Sequence, residues 1–439
     1  MLEMALSTQP YKGARDFYPE DKRLQNYIFA TWRRVAQQFG YEEYDASIIE
    51  PLELYQAKTS DEIVSEQTYF FVDRGGRYVV LRPEMTPTVS RMVAGRRQEL
   101  AYPVRWYSIP NVWRYERPQK GRLREHWQLN VDLFGLEGLE ADFEIISLAD
   151  HIMRAFHAKS DTYSIRINSR KLMQTIMEGY LGMDHVQSAT LIRLIDRMNK
   201  MDHAQFAADL DALFSPSQRE EGKSDLMLEL LKVRSIDNLP INLDKHESVL
   251  ELRKLFAMLE HAGITNYVFD MTLMRGFDYY TDIVFEVFDT DPENNRSMFG
   301  GGRYDGLVAM FGVEPVPTVG FGMGDVTLAN FLVSHGLLPK LHTETQVYVI
   351  LLGDVYERSQ KAIEYLRAAG VKAAVSPVGR KIDKEIRTAL KKGIPYVLFI
   401  GEKELGEEIF TLRNLRANKE ERHGLDRVIS IVKDYRHPV

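Results

Sequence analysis

The 439-residue sequence contains no cysteine. Disulfides, thiolate metal sites and cysteine nucleophiles are therefore excluded, and a cytoplasmic home is the simplest reading. Long apolar runs are missing too: none approaches the ~20 residues of a membrane helix. The first residues, MLEMALSTQPYKGARDFYPED, are too poor in apolar residues for a secretory signal. No H-E-x-x-H or tight acid-histidine cluster points to a metal site built by the protein. Neither G-x-x-x-x-G-K-[ST] nor a βαβ-embedded G-x-G-x-x-G occurs, so the common nucleotide loops are absent. What remains is an ordinary globular balance of 44% hydrophobic and 27% charged residues, enough for two or three domains.

The net charge of -7 hides its distribution. Residues 341–439 carry 18 Lys and Arg against 14 Asp and Glu. A second basic region, RYERPQKGRLR, places Arg114, Arg117, Lys120, Arg122 and Arg124 beside the single acid Glu116. Such a run alone also fits a solvated face. Its setting is more specific, because VRWYSIPNVWRYE before it and HWQLNVDLFG after it read as strands, with Pro110 as an interruption or bulge. A basic tip between two strands suits phosphate binding, since the arginine fork matches phosphate oxygens. Arg114 sits in the first strand and has a fixed direction. Along the second strand Trp127, Leu129, Val131 and Leu133 share one face and Gln128, Asn130 and Asp132 the other. A buried polar face needs partners, from protein or ligand.

Elsewhere RLQNYIFATWRRVAQQFG reads as an amphipathic helix stopped by Gly40. ASIIEPLELYQA reads as a strand broken at Pro51, and TYFFVDRGGRYVVLRP as a hairpin. A helix begins in LRPEMTPTVSRMVAGRR. Residues from about 172 to 262 read as a helical insertion, with SPSQREEGKSD as a polar break. In LMRGFDYY, strand alternation would put one hydroxyl of Tyr279 and Tyr280 on each face. FGGGRYDGL reads as a glycine-rich turn entering a helix. From 343 to 439 strands and helices alternate, as expected of a small α/β domain with a mostly parallel sheet.

Together these pieces resemble the histidyl-tRNA synthetases, a class II aminoacyl-tRNA synthetase family, over nearly the whole chain. KGARDFYPED is similar to the N-terminal signature, IIEPLELY to the first class motif and YERPQKGRLREHWQLNVDLFG to the second. LMRGFDYYTDIVFE and GGGRYDGL look like the two histidine-specific signatures. IRTALKKGIPYVLFIGEKELGEEIFTLRNL resembles the anticodon-binding domain. The resemblance implies an α+β fold: a class II antiparallel sheet flanked by helices over residues 1–340, with the helical insertion, and an α/β anticodon-binding domain over 343–439. It implies ATP, with Mg2+ carried on the nucleotide, L-histidine and tRNA(His) as substrates, and a homodimer.

Residue by residue, it implies Arg114 and Arg275 as catalytic arginines at the ATP α-phosphate. Glu84 and Thr86, together with Gln128, would hold the histidine α-amino group. Asp132, Tyr280 and Tyr304 would line the imidazole pocket, and Met85 and Tyr279 are further expected histidine-binding residues. Arg117, Lys120, Arg122 and Arg124 would meet the tRNA acceptor end. The third class motif departs from the family. Where GFAMGLERL is usual, this chain reads GFGMGDVTL, so Val326 and Thr327 stand at the glutamate and arginine positions. Either another basic residue, such as Arg303, substitutes at the nucleotide, or magnesium does more there, or adenylation is weakened. The departure keeps a second reading open, a histidine-binding regulatory paralogue of histidine biosynthesis that does not charge tRNA.

Overall fold

The computed structural model describes residues 6–56, 67–117, 121–198, 201–274, 279–294, 296–377 and 379–435. It divides into two compact units, 1–338 and 339–439.

Among the described residues, the first unit is built on twelve strands: β1 (Glu42–Glu43), β2 (Ile49–Pro51), β3 (Tyr69–Val72), β4 (Tyr78–Leu81), β5 (Val104–Ser108), β6 (Asn111–Trp113), β7 (Glu125–Phe134), β8 (Tyr163–Ser169), β9 (Tyr267–Phe269), β10 (Ile283–Asp289), β11 (Ser297–Arg303) and β12 (Thr318–Gly324). The main sheet runs β1-β5-β7-β12-β11-β10-β8-β9, with β6 also on β7. From β5 to β8 every pairing is antiparallel; only β1 and β9, at its two ends, pair in parallel. Strands β2, β4 and β3 form a small second sheet that includes the expected hairpin.

The alternation read in HWQLNVDLFG decides how this sheet is covered. Leu129, Val131 and Leu133 are fully buried in a core shared with Ile28, Trp32 and Val35 of the helix Pro19–Gln38 and Ile145, Ile146 and Ile152 of the helix Leu139–Ala155. Each such aliphatic side chain stabilises the fold by about 1.5–3 kcal/mol. The first helix begins with Pro19 and the acids Glu20 and Asp21, which suit its positive end, and closes at Gly40 with φ +80°. With the helices on one face, the polar face of β7 looks to the other side.

Four local readings need correction. Pro110 interrupts the strand, which ends at Ser108 and resumes at Asn111, but causes no bulge: Ser108 pairs with Asn130 and Asn111 with Trp127 in one continuous register, and the Pro110 carbonyl still accepts the Gln128 N–H. The ladder loses only the donor that proline lacks. SPSQREEGKSD is not a simple break, because Ser215 and Gln218 form a reciprocal cap and Pro216 starts a short helix, Pro216–Glu220. The three glycines of FGGGRYDGL lie inside β11, not in a turn, and only a short 3-10 turn, Val308–Phe311, follows. Tyr279 and Tyr280 precede β10 and turn to the same side.

The second unit has a five-stranded sheet, β14-β13-β15-β16-β17, made of β13 (Val347–Leu352), β14 (Ala373–Val375), β15 (Tyr396–Gly401), β16 (Phe410–Asn414) and β17 (Lys419–His423). The first three are parallel; β16 and β17 are an antiparallel addition that alternation of strand and helix did not announce. Both units together are α+β. Among the described residues, no helix is long and apolar enough to cross a membrane.

Candidate active site

On the face of the main sheet opposite the helices, β7 presents Gln128, Asn130 and Asp132 to a pocket. Glu84 and Thr86 enter from the start of the helix Thr86–Gly95, Arg114 from the end of β6, and Tyr279, Tyr280 and Tyr304 from the segments flanking β10 and β11. The floor is glycine. Gly320 lies opposite Asp132 and Gly322 opposite Asn130. A Cβ on Gly320 would come within 2.4 Å of the Asp132 carboxylate, and one on Gly322 within 2.1 Å of the Gln128 amide. Glycine is what lets two polar side chains lie flat on the sheet.

The polar groups are braced but not all satisfied. The Tyr304 hydroxyl donates to Asp132 Oδ1, and the Tyr279 hydroxyl to Glu84 Oε2 at 3.1 Å. Tyr55, which is fully buried, donates to the Glu84 carbonyl at 3.1 Å and meets the Thr88 hydroxyl at 3.0 Å. The three pocket tyrosines form a cluster with ring centroids 4.9–6.4 Å apart. Asp132 Oδ2 and Gln128 Oε1 are buried and without a hydrogen-bond partner. Burial raises the Asp132 carboxyl to about 7, against the opposing pull of the Tyr304 hydrogen bond. A buried acceptor of this kind has a standing demand for a donor.

Arg114 also lines a second, neighbouring cleft, together with Glu116, Arg122, His126, Val326 and Thr327. Its Nε donates to the Pro83 carbonyl at 2.9 Å, which fixes the guanidinium between the two spaces. His126 is held neutral, its pKa pushed down to about 3 by burial and then by Arg114 and Arg15. The Thr327 hydroxyl donates to the Met298 carbonyl at 2.8 Å. It brings no charge to the cleft.

The expected site residues thus divide. Glu84, Thr86, Arg114, Gln128, Asp132, Tyr279, Tyr280 and Tyr304 converge on one pocket. Met85 does not: its side chain is fully buried in the core beside the helix start. Arg303 does not either. Its guanidinium is buried on Asp142 and on the carbonyls of Leu136 and Gly138, so it does not stand in for the missing motif arginine. Arg117 and Arg122 are exposed. Arg124 is engaged, stacked 4.1 Å from the Tyr115 ring centroid and bonded to the Tyr11 hydroxyl and the Glu116 carbonyl. Arg275 and Lys120 lie outside the described residues. Among those described, no three His, Asp or Glu side chains form a metal cluster.

The lining residues not singled out as site residues include Asn130, His126 and Glu116. Asn130 and His126 continue the even-numbered face of β7, so the period-two pattern already held them. Glu116 had counted only as the lone acid among cations.

An antiparallel sheet carrying an amino-acid-sized polar pocket beside an arginine-lined cleft is the core of a class II aminoacyl-tRNA synthetase. The family model described as Histidyl-tRNA synthetase matches residues 13–326, and one described as Anticodon binding domain matches 346–435. The chain belongs to the histidyl-tRNA synthetase family. It is 41% identical over 436 residues to a histidine--tRNA ligase of Leptospira biflexa, covering 99% of both chains. A histidine--tRNA ligase of Thermoplasma volcanium is 36% identical over 411 residues, 93% of this chain and 95% of that one. The fold matches a crystal structure of histidyl-tRNA synthetase from Nostoc sp. PCC 7120 with a TM-score of 0.81 at 24% identity, over 98% and 99% of the two chains.

Proposed function

We infer that this chain ligates L-histidine to tRNA(His) at the expense of ATP, through a histidyl-adenylate, releasing diphosphate and then AMP. The observation that carries the reading is Arg114, one guanidinium that borders both the polar pocket and the cleft. In the first step a histidine carboxylate oxygen attacks the α-phosphorus of ATP and diphosphate leaves. Two anions must meet, and a fixed arginine between them offsets the repulsion.

The pocket suits histidine. Glu84, Thr86 and Gln128 would take the α-ammonium group, and the free Asp132 Oδ2 an imidazole N–H. A phenyl or aliphatic ligand would leave Asp132 unpaired, and such hydrogen-bonding sites reject misfits by ~10⁴-fold or more. Arg114 and Arg122, which line the cleft, would face the triphosphate, with magnesium arriving on the nucleotide as part of the substrate. Arg275 is assigned to the α-phosphate on the family resemblance. Arg117, Lys120 and Arg122 would steady the acceptor end of the tRNA. Once the adenylate forms, the terminal ribose hydroxyl of the tRNA attacks its carbonyl and AMP leaves.

Residues 1–340 would hold this chemistry and 343–439 the anticodon contacts, in a cytoplasmic homodimer. Exposed Ile49, Phe70, Val72 and Tyr78 on the small sheet support a partner surface there. The regulatory-paralogue reading draws on Val326 and Thr327. An anticodon domain and full-length similarity to ligases weigh against it. The test is charging of a tRNA(His) transcript with labelled histidine and ATP. Acid-stable histidyl-tRNA is expected; histidine binding with no charging would favour the paralogue.

A further inference from the structure

Part of the cleft wall is the start of the helix Asp325–Ser334, where Thr327 replaces the family's arginine. Beside it lies a carboxylate. Asp325 is buried, with a side chain 4% exposed, and it is fixed to β7 by accepting the Trp127 N–H at 3.0 Å. Val326 and Thr327, the next two residues, line the cleft. An uncompensated carboxylate at this position would repel a triphosphate, and two like charges several ångströms apart change affinity by about tenfold or more.

One cation meets it, and it comes from more than three hundred residues away in sequence. Arg15 donates to Asp325 Oδ2 at 2.8 Å. Its guanidinium lies 4.9 Å from the Phe17 ring centroid, and Phe17 packs edge-on against Trp127. The segment is sewn to the basic strand pair as well. The Gly13 carbonyl accepts the Arg124 N–H at 2.8 Å, and a Cβ on Gly13 would strike the Arg124 side chain at 2.7 Å. Arg15 Nε is buried without a partner. The positive field of Arg15 reaches into the cleft, where it joins Arg114 in holding His126 neutral.

We propose that Arg15 is a positioning residue of the nucleotide cleft: by neutralising and anchoring Asp325 it keeps positive the wall on which Thr327 has replaced an arginine. The inference rests on the ligase reading. It makes the N-terminal segment part of the ATP site, acting through charge and not by touching the reacting atoms.

The experiment is histidine-dependent ATP–diphosphate exchange with the full-length protein, measuring KM for ATP and for histidine separately. Arg15→Ala should raise the ATP KM by about tenfold and leave the histidine KM within about twofold. Arg15→Lys should stay near wild type. The double variant Arg15→Ala/Asp325→Asn should recover most of the loss, because asparagine still accepts the Trp127 N–H but carries no charge. Asp325→Asn alone should lower the ATP KM. An unchanged ATP KM in Arg15→Ala, or equal rises in both KM values that Asp325→Asn does not relieve, overturns the proposal. If Arg15→Ala does not fold, Asp325→Asn alone decides, and an unchanged or raised ATP KM overturns it. Absence of exchange in the wild type would sink the ligase reading instead. Calorimetric ATP binding by the same variants would then judge Arg15 by the same criteria.

Discussion

The Tyr304 hydroxyl donates to one oxygen of Asp132 and leaves the other, Oδ2, buried and unpartnered. That asymmetry orients the carboxyl group. One oxygen is held by the protein and the other is presented to the pocket, so an incoming N–H meets an acceptor of fixed direction. The arrangement also makes the empty pocket costly, since the carboxyl is raised to about 7 by burial.

Asp132→Asn should therefore separate binding from stability. An acid whose pKa rises on folding costs stability once the pH exceeds its unfolded value of about 4, and the full cost is present above about 7. Removing the charge should raise the melting temperature, more at pH 8 than at pH 5. The histidine KM should rise about tenfold or more, because a neutral amide is a weaker acceptor. Melting curves at the two pH values and exchange kinetics check both halves. An equal stability change at both pH values would contradict this pH dependence.

Gly322→Ala tests the floor of the pocket. The new methyl would displace the Gln128 amide, which it meets at 2.1 Å. The histidine KM should rise by about tenfold or more, with the ATP KM changed much less, since Gly322 lines the pocket and is not among the residues lining the neighbouring cleft. Matched losses for both substrates would place Gln128 outside amino-acid recognition.

Arg303→Ala should injure the fold rather than nucleotide binding. It would strand Asp142, a buried acid that Arg303 pulls down but that burial still holds up at about 6. Breaking a buried pair of this kind costs about 3–5 kcal/mol. Denaturant unfolding should show that loss, and Arg303→Ala/Asp142→Leu should recover part of it. A selective rise in ATP KM at unchanged stability would return Arg303 to the nucleotide.

The sequence made much of this site legible because the site is built on strands. Period two along β7 sorted Gln128, Asn130 and Asp132 from the core face, and the structure puts all three in one pocket. The same period held His126. What alternation misreads is a turn: Tyr279 and Tyr280 look to opposite faces only if they lie in a strand, and they precede one. The glycine run of β11 misled for a related reason. A run of glycine signals backbone freedom, but here it lies inside a strand, where a Cβ on Gly301 or Gly302 would strike the Gly320 or the Ile283 carbonyl of the neighbouring strands. Arg303 could not be placed from sequence at all, since its partner Asp142 is 161 positions away. The same holds for Arg15 and Asp325.

Arg275→Ala should abolish histidine-dependent diphosphate exchange while largely sparing histidine binding, if this arginine acts on charge that develops at the α-phosphate. Equilibrium histidine binding and exchange rate, measured on one preparation, separate the two. Retained exchange would remove Arg275 from the chemistry.

The most direct measurement of the central claim is ATP–diphosphate exchange with each of the twenty amino acids in turn. An imidazole-reading pocket joined to a nucleotide cleft through Arg114 predicts exchange with histidine and background rates with the others. Exchange driven equally well by an aliphatic or phenyl amino acid would contradict it.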